Sequence, residues 1–273
     1  MKKRLPSILV GLLFLVGLGI MIYPTVSNQW NTYRQNKLIS NYEKIVDDMS
    51  DEDFSQEWQN AQAFNETISG NNVFADVFGE KSKDSENSEY NRVLNMNNDG
   101  IMGYISIPEI NIKLAIYHGT SDDVLQTGVG HINGSKLPIG GESTHCVLAA
   151  HRGLPSAELF TDIDQLQTGD KFYLHILDKV LAYEVDQIKT VLPSQTDDIE
   201  IVDGEDYVTL VTCTPYSVNT HRLLVRGKRT DYKEAIKKTP NEVNNGIHIP
   251  YEVKLAFLSF IIIGIIIFIW RRR

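Results

Sequence analysis

The chain has 273 residues and a formal net charge of −9 at pH 7. Six basic residues lie at the two ends, so the part between them carries roughly −15. Because nucleic-acid binding depends on clustered lysine and arginine, this charge balance argues against a nucleic-acid partner.

Apolar, uncharged segments lie near both ends of the chain, at residues 8–23 and 255–270. Each is somewhat shorter than the roughly 20 residues of a spanning helix. The first is either a signal peptide or an anchor, and the lack of a small-x-small cleavage site favours the anchor. Basic residues on the outer side of each segment predict both termini in the cytoplasm. We therefore predict a basic tail with an anchor or signal at 1–24, a transmembrane helix at 251–270 and a basic tail at 271–273.

The region between these segments changes character along the chain. Residues 25–69 repeat apolar side chains every three to four positions, which predicts a helical region. Residues 70–99 are polar with isolated aromatics and read as a long surface loop. Residues 100–230 contain short β-rich runs separated by glycine, proline and aspartate, which is typical of a sandwich or barrel. A charged linker follows at 231–250.

A predicted hairpin near the end of this β-rich region carries one of the two cysteines. Residues 207–213 alternate at period two, so Cys213 ends a strand. Pro215 and Asn219 mark a loop, and a second strand begins at Arg222. An antiparallel pair of this kind brings the Cys213 thiol close to the Arg222 guanidinium.

The thiol has three possible roles. A disulfide between Cys146 and Cys213 is compatible with an exported chain, although Cys146 also suits a core position. A zinc site would draw on His145 or His221, but no CxxC or HxxxH spacing supports it, and we predict no metal. The third role is nucleophilic attack on a carbonyl by Cys213.

A nucleophilic cysteine needs a base and a group that holds the developing oxyanion. The run CVLAAH places His151 at a strand end, on the same face as Val147 and Ala149. Arg222 keeps its charge and offers a rigid fork of donors. Each of these residues also has an ordinary surface role when it is considered alone.

Several motifs together resemble the sortases, and most closely their pilus-building class C. They are TLVTC and TCTPYSVNTHRLLVRGKR around Cys213, AAHRGLPSAELFTDID around His151, and the run from GYISIPEINIKLAIYHG to GGESTH. The likeness covers roughly residues 70 to 230, plus the layout with two anchors. It implies a mainly β fold: a closed sortase-type β-barrel with short helices, preceded by a helical region and a lid loop, and flanked by two transmembrane helices.

The resemblance implies a reaction without a cofactor. Cys213 would be the nucleophile, His151 the acid–base and Arg222 the oxyanion partner. Sortases of this class cleave an LPxTG-like sorting signal between Thr and Gly, hold the acyl half as a thioester and transfer it to a pilin lysine. The implied partners are therefore pilin subunits that carry a sorting signal and an acceptor lysine, with the enzyme in a Gram-positive cell membrane and its catalytic domain outside.

The resemblance also implies a groove and a lid. The backbone N–H near Thr214 is a candidate oxyanion donor, and Thr212 and His221 are candidate groove residues. The lid of class C enzymes carries an Asp-Pro-aromatic motif, and the corresponding positions here are Asp76 and Phe78 with valine between them. Because proline restricts φ, its absence predicts a lid that opens more readily.

Two other functions remain open at this point. The same fold and cysteine could use water or a cell-wall amine, which would make the protein a cysteine peptidase or a wall-anchoring sortase. Alternatively, the barrel could be a non-enzymatic surface scaffold, in which case Cys213 would be dispensable.

Overall fold

The computed structural model describes residues 5–68, 78 and 89–233. The predicted C-terminal transmembrane helix, both basic tails, most of the predicted linker and Asp76 lie outside these residues. The described residues fall into two compact units that divide between Trp30 and Asn31, and the second unit contains the barrel.

Two helices precede the barrel, α1 over Leu5–Asp47 and α2 over Asp51–Thr67. Ser50 starts α2 with a capping box. Its hydroxyl accepts from the Asp53 N–H at 3.2 Å, while the Asp53 carboxylate accepts from the Ser50 N–H at 3.0 Å. These bonds satisfy donors that a helix start leaves without a partner. The predicted helical region at 25–69 is therefore divided between two helices.

The first helix contains the apolar segment predicted from the sequence. Within α1, Gly11–Asp47 is long enough to cross a membrane, and its apolar window is not buried in protein. By length and composition it is a candidate membrane anchor. It is one such helix among the described residues; the second predicted helix lies outside them.

Eight strands and one short helix follow: β1 Ile101–Ile107, β2 Ile112–His118, α3 Asp122–Thr127, β3 Val129–His131, β4 Thr144–Ala149, β5 Lys171–Ile176, β6 Lys179–Val191, β7 Asp206–Thr214 and β8 His221–Thr230. The strands form a closed barrel in the order β1-β2-β3-β4-β7-β8-β6-β5, and α3 joins β2 to β3. Most neighbours are antiparallel, but β2–β3 and β4–β7 run parallel. The sequence left a sandwich and a barrel open, and the closed order confirms the barrel.

Polar side chains of α1 dock its second half onto the barrel. Gln35 is buried; its amide accepts from the Ala115 N–H at 2.9 Å and donates to the Thr127 carbonyl at 2.6 Å. Tyr42 donates to the Met102 carbonyl at 3.1 Å. Since these backbone groups would otherwise be buried without partners, the helix completes the hydrogen bonding of the barrel wall.

Apolar side chains of the barrel divide into a main core and a smaller cluster, here called the β4–β7 face. On β7, Val208 and Leu210 belong to the main core, whereas Val211 belongs to the β4–β7 face. This division follows the period-two alternation of the strand. Phe78 packs against the β4–β7 face, which consists of Leu125, Ile132, Val147, Ala149, Val191, Ile199, Val211 and Leu224.

Candidate active site

The predicted hairpin is present, and it places the cysteine opposite the arginine. In the antiparallel β7–β8 pair, Cys213 is the direct cross-strand partner of Arg222. The loop between the strands has positive φ at Ser217 and Asn219, the latter at 59°, a region that asparagine tolerates well. The Arg222 Nη1 donates to the carbonyls of Asn219 at 3.0 Å and His221 at 2.9 Å. These bonds fix the guanidinium against the loop that joins β7 to β8, at the end of the hairpin that carries Cys213.

His151 reaches the same place through a different strand pair. β4 and β7 are parallel, with Ala149 opposite Val211. The Ala150 N–H donates to the Val211 carbonyl at 3.2 Å, so the register continues past the end of β4. Two further residues along each chain bring His151 alongside Cys213, and the alternation puts both side chains on the β4–β7 face.

The side chains of Cys213, Arg222 and His151 are largely shielded from solvent. Cys213 and Arg222 are buried, at 6% and 8% exposure, and His151 is half-buried. Burial lowers the pKa of His151 from its ordinary 6.5, and the nearby Asp122 carboxylate opposes that effect in part. At neutral pH the imidazole is therefore mainly neutral and can accept a proton from the thiol.

Phe78 lies against two of these three groups. Its ring centroid is 5.5 Å from that of His151, and the Arg222 guanidinium carbon is 5.2 Å from the Phe78 centroid. The ring thus contacts the predicted base and the predicted oxyanion partner together. Its predicted companion, Asp76, lies outside the described residues.

The three candidate groove residues have different placements. Thr212 is fully buried, and its hydroxyl donates to the Ala150 carbonyl at 2.8 Å, so it lies on the strand face opposite Cys213. Thr214 is half-buried beside the thiol, and His221 is its cross-strand partner. Thr214 and His221 therefore lie opposite each other next to the loop of the β7–β8 hairpin, whereas the Thr212 side chain is buried on the other face of β7.

The two cysteines and His145 differ in their surroundings. Both cysteines lie in the described part of the chain and neither is in a disulfide. Cys146 points into the main core, where burial raises the pKa of its thiol. His145 is hydrogen bonded at both nitrogens, to the Glu200 carbonyl and the Thr209 hydroxyl, each at 2.7 Å. Cys146 and His145 are therefore structural, as a core position had suggested for the cysteine.

Asp122 is a contributor that the sequence reasoning missed. It lies in the first turn of α3, whose N-cap Ser121 accepts from the Val124 N–H. Its charge acts on His151 although the two residues are far apart in sequence. The run Ser-Asp-Asp signals a helix start, but the sequence does not show which strand end that helix faces.

Comparison with known proteins supports one family. Residues 105–230 match the model of the Sortase domain. Sortase A of Streptococcus agalactiae serotype III (strain NEM316) is 30% identical over 131 residues, which are 47% of this chain and 52% of that protein. The chain thus spans about half the length of this curated relative, and 59% of the next, from Bacillus anthracis.

Solved structures give wider coverage. Sortase C-1 from Streptococcus pneumoniae is 45% identical with a TM-score of 0.67, over 72% of this chain and 99% of that one. A pilus-related sortase C of Group B Streptococcus is 42% identical with a TM-score of 0.65, over 71% and 97%. This agreement extends beyond the barrel strands to most of the described chain. The eight-stranded barrel, the cysteine and arginine paired across its β7–β8 hairpin, and these similarities together show that the chain belongs to the sortase family.

Proposed function

We propose that the protein is a membrane-anchored cysteine transpeptidase of the pilus-building type. The observation that carries this proposal is the convergence on one barrel face of Cys213, its cross-strand partner Arg222 and, at the end of the adjacent strand, His151. A thiol, a mainly neutral imidazole and a fixed cation are the groups that acyl transfer needs. The similarity to pilus-related sortase C structures supports the choice of substrate.

The first half-reaction forms a thioester. The Cys213 sulfur attacks the carbonyl carbon of threonine in an LPxTG-like signal, and His151 takes the thiol proton. The negative charge that develops on the carbonyl oxygen faces the Arg222 guanidinium and the backbone N–H near Thr214. The tetrahedral intermediate collapses, the Thr–Gly bond breaks, and the glycine amine leaves with the proton from His151.

The second half-reaction regenerates the thiol. A lysine amine of another pilin attacks the thioester and gives a proton to His151, and an isopeptide bond replaces the thioester. Cys213 leaves as the thiolate and recovers the proton. Because the site is largely buried, water is at a disadvantage against an amine delivered by a docked partner.

Phe78 and Asp76 would regulate entry. In the proposal, the Phe78 ring occupies space over His151 and Arg222 that a sorting signal needs, so the ring must move before the thiol can react. Asp76 would assist by pairing with Arg222. Substitution at either position should therefore increase the rate of the first half-reaction.

The test uses the full-length protein with an LPxTG peptide, with and without hydroxylamine, and mass spectrometry of the enzyme. We expect a thioester on Cys213 and a hydroxamate product, both lost in Cys213→Ala and His151→Ala. Cys146→Ala is the matched control, because that thiol lies in the main core, and it should retain the adduct. Absence of any adduct, even in Phe78→Ala, would contradict the proposal.

The acceptor separates the proposal from a wall-anchoring sortase or a peptidase. Acyl-enzyme formed from the peptide is offered a pilin domain with an accessible lysine, a cell-wall peptide amine, or buffer alone. We expect transfer to the pilin lysine to exceed the other two. Preferential transfer to the wall amine or to water would assign the protein to one of those alternatives.

A further inference from the structure

Arg152 follows His151 directly and connects three elements of the structure. Its Nη1 donates to the Thr214 hydroxyl at 3.3 Å, one residue beyond Cys213. Its Nη2 forms an ion pair with the carboxylate of Asp164, in the loop between β4 and β5. One planar group thus links the segment after the histidine to the segment after the cysteine.

A second link joins Gly153, the residue after Arg152, to Tyr216, which lies two residues after Thr214. Gly153 has a φ of 77°, and a Cβ at this position would lie 2.8 Å from the ring of Tyr216. The absence of a side chain therefore lets the Tyr216 ring pack directly on the backbone. The Arg152 guanidinium carbon lies 6.0 Å from the same ring centroid. The His-Arg-Gly segment and the Cys-Thr-Pro-Tyr segment are joined at both Arg152 and Gly153.

The Arg152 side chain includes a group whose burial is unfavourable for folding. The Arg152 side chain is only 10% exposed, and its Nε is buried with no hydrogen-bond partner among the described residues. A buried donor without a partner is unfavourable, and such groups are rare in folded proteins. A side chain kept under these conditions is more readily explained by what its two terminal nitrogens hold in place than by a contribution to folding.

From these contacts we propose that Arg152 is a positioning residue, which keeps His151 at the correct distance from Cys213 by clasping the two loops that follow them. The inference rests on the proposed function, since it assigns a supporting role in the same reaction. Arg152 itself touches neither the sulfur nor the imidazole in the contacts described. It acts through Thr214 and Asp164, and a small displacement of either loop would change the approach of base to nucleophile.

The test is a double-mutant cycle in the full-length protein, with alkylation of Cys213 by iodoacetamide at neutral pH as the readout. Alkylation followed by intact mass needs no sorting signal, so it reports on the pair even if the peptide is not a substrate. We expect Arg152→Gln to slow alkylation about threefold to tenfold, and to have no further effect in a His151→Ala background. A residue that only supports folding would change the alkylation rate by the same factor in both backgrounds.

Other groups facing His151 are unchanged by this substitution. They are the Asp122 carboxylate on α3 and the Phe78 ring, and the strand register places Cys213 of β7 alongside, with Arg222 of β8 as its cross-strand partner. With an active peptide, kcat of Arg152→Gln should fall about ten- to a hundredfold while KM changes less than about twofold, because Arg152 lies outside the β4–β7 face. Thr214→Val should change alkylation in the same direction but less, since the bond it removes is long.

The matched control is Arg226→Gln. Arg226 also pairs with a carboxylate, Asp186, at 2.7 Å, and also lies over a ring, Tyr207, at 4.2 Å, but it is on β8 away from the hairpin end. In Arg226→Gln, Cys213 should be alkylated at the parental rate. Arg152→Lys, which keeps the charge but not the fork, should give an intermediate rate and provides the test if Arg152→Gln does not fold. Equal slowing by Arg226→Gln, or parental alkylation in both Arg152 variants, would overturn the proposal.

Discussion

Replacing Phe78 by alanine is expected to uncover the active site. The ring contacts the imidazole of His151 and the guanidinium of Arg222, the two groups that the proposed reaction needs next to the substrate carbonyl. Alanine removes both contacts and leaves every other residue of the segment unchanged. The proportion of molecules with an accessible thiol should therefore rise.

The size of this effect follows from the two contacts. A cation–π pair at 5.2 Å in a partly exposed site is worth about 0.5 to 1 kcal/mol. A ring pair at 5.5 Å adds about 0.5 to 1 kcal/mol. Together they stabilise the covered state by about 1 to 2 kcal/mol, which corresponds to about a fivefold to thirtyfold change in the ratio of covered to uncovered molecules. Packing on the β4–β7 face would add to this figure.

The assay is the rate of thioester formation on Cys213 at a peptide concentration well below saturation. Phe78→Leu should give a smaller increase than Phe78→Ala, because leucine keeps apolar packing but has no π face. Phe54→Ala is the control for general loosening, since Phe54 is a partly buried aromatic on α2 that packs against the main core. An unchanged rate in Phe78→Ala, or an equal rise in Phe54→Ala, would refute the reasoning.

Three further predictions concern other parts of the molecule. Arg222→Lys should lower kcat at least about a hundredfold with little change in KM, measured by peptide cleavage, because an ammonium cannot reproduce the fork opposite Cys213. The acidic limb of the pH–rate profile should move to higher pH in Phe78→Ala. Burial lowers the pKa of His151, so exposure of the imidazole ring returns that pKa towards 6.5, and a smaller fraction of the imidazole is neutral at pH 6. An acidic limb at the same pH as in the parent would contradict this. Gln35→Ala should lower the free energy of unfolding by about 2 kcal/mol in a denaturant titration, because two backbone groups lose their hydrogen bonds to a buried side chain, whereas Gln59→Ala, at an exposed position on α2, should not.

The local pattern of residue types was sufficient to predict the hairpin that carries Cys213 and Arg222. Alternation over residues 207–213, turn residues after it and a restart at Arg222 describe two strands that are adjacent in sequence. Register in such a pair is set by the short connecting loop, so the Cys213–Arg222 pair could be predicted and is confirmed. The same alternation places Thr212 on the opposite face, where its buried hydroxyl donates to the Ala150 carbonyl.

The resemblance to a known family supplied what local pattern could not. The closed barrel and the family are confirmed, and one apolar helix at the N-terminal end agrees with the predicted anchor in length and composition. The role of Phe78 came from a matched motif, whereas His151 was already the candidate base from its place at a strand end and the matched motif strengthened that hypothesis. On spacing alone, His151 was one histidine among seven.

The sequence by itself determined the strand periodicity, the hairpin carrying Cys213 and Arg222, and the apolar character of the N-terminal helix, because each depends on residues close together in the chain. Only the tertiary structure decided that His151 lies beside Cys213, since that contact requires the parallel β4–β7 pairing of strands about 60 residues apart. It also decided the contacts of Phe78, the influence of Asp122 and the links made by Arg152. Burial and proximity arise from closing the barrel, and no local pattern encodes them.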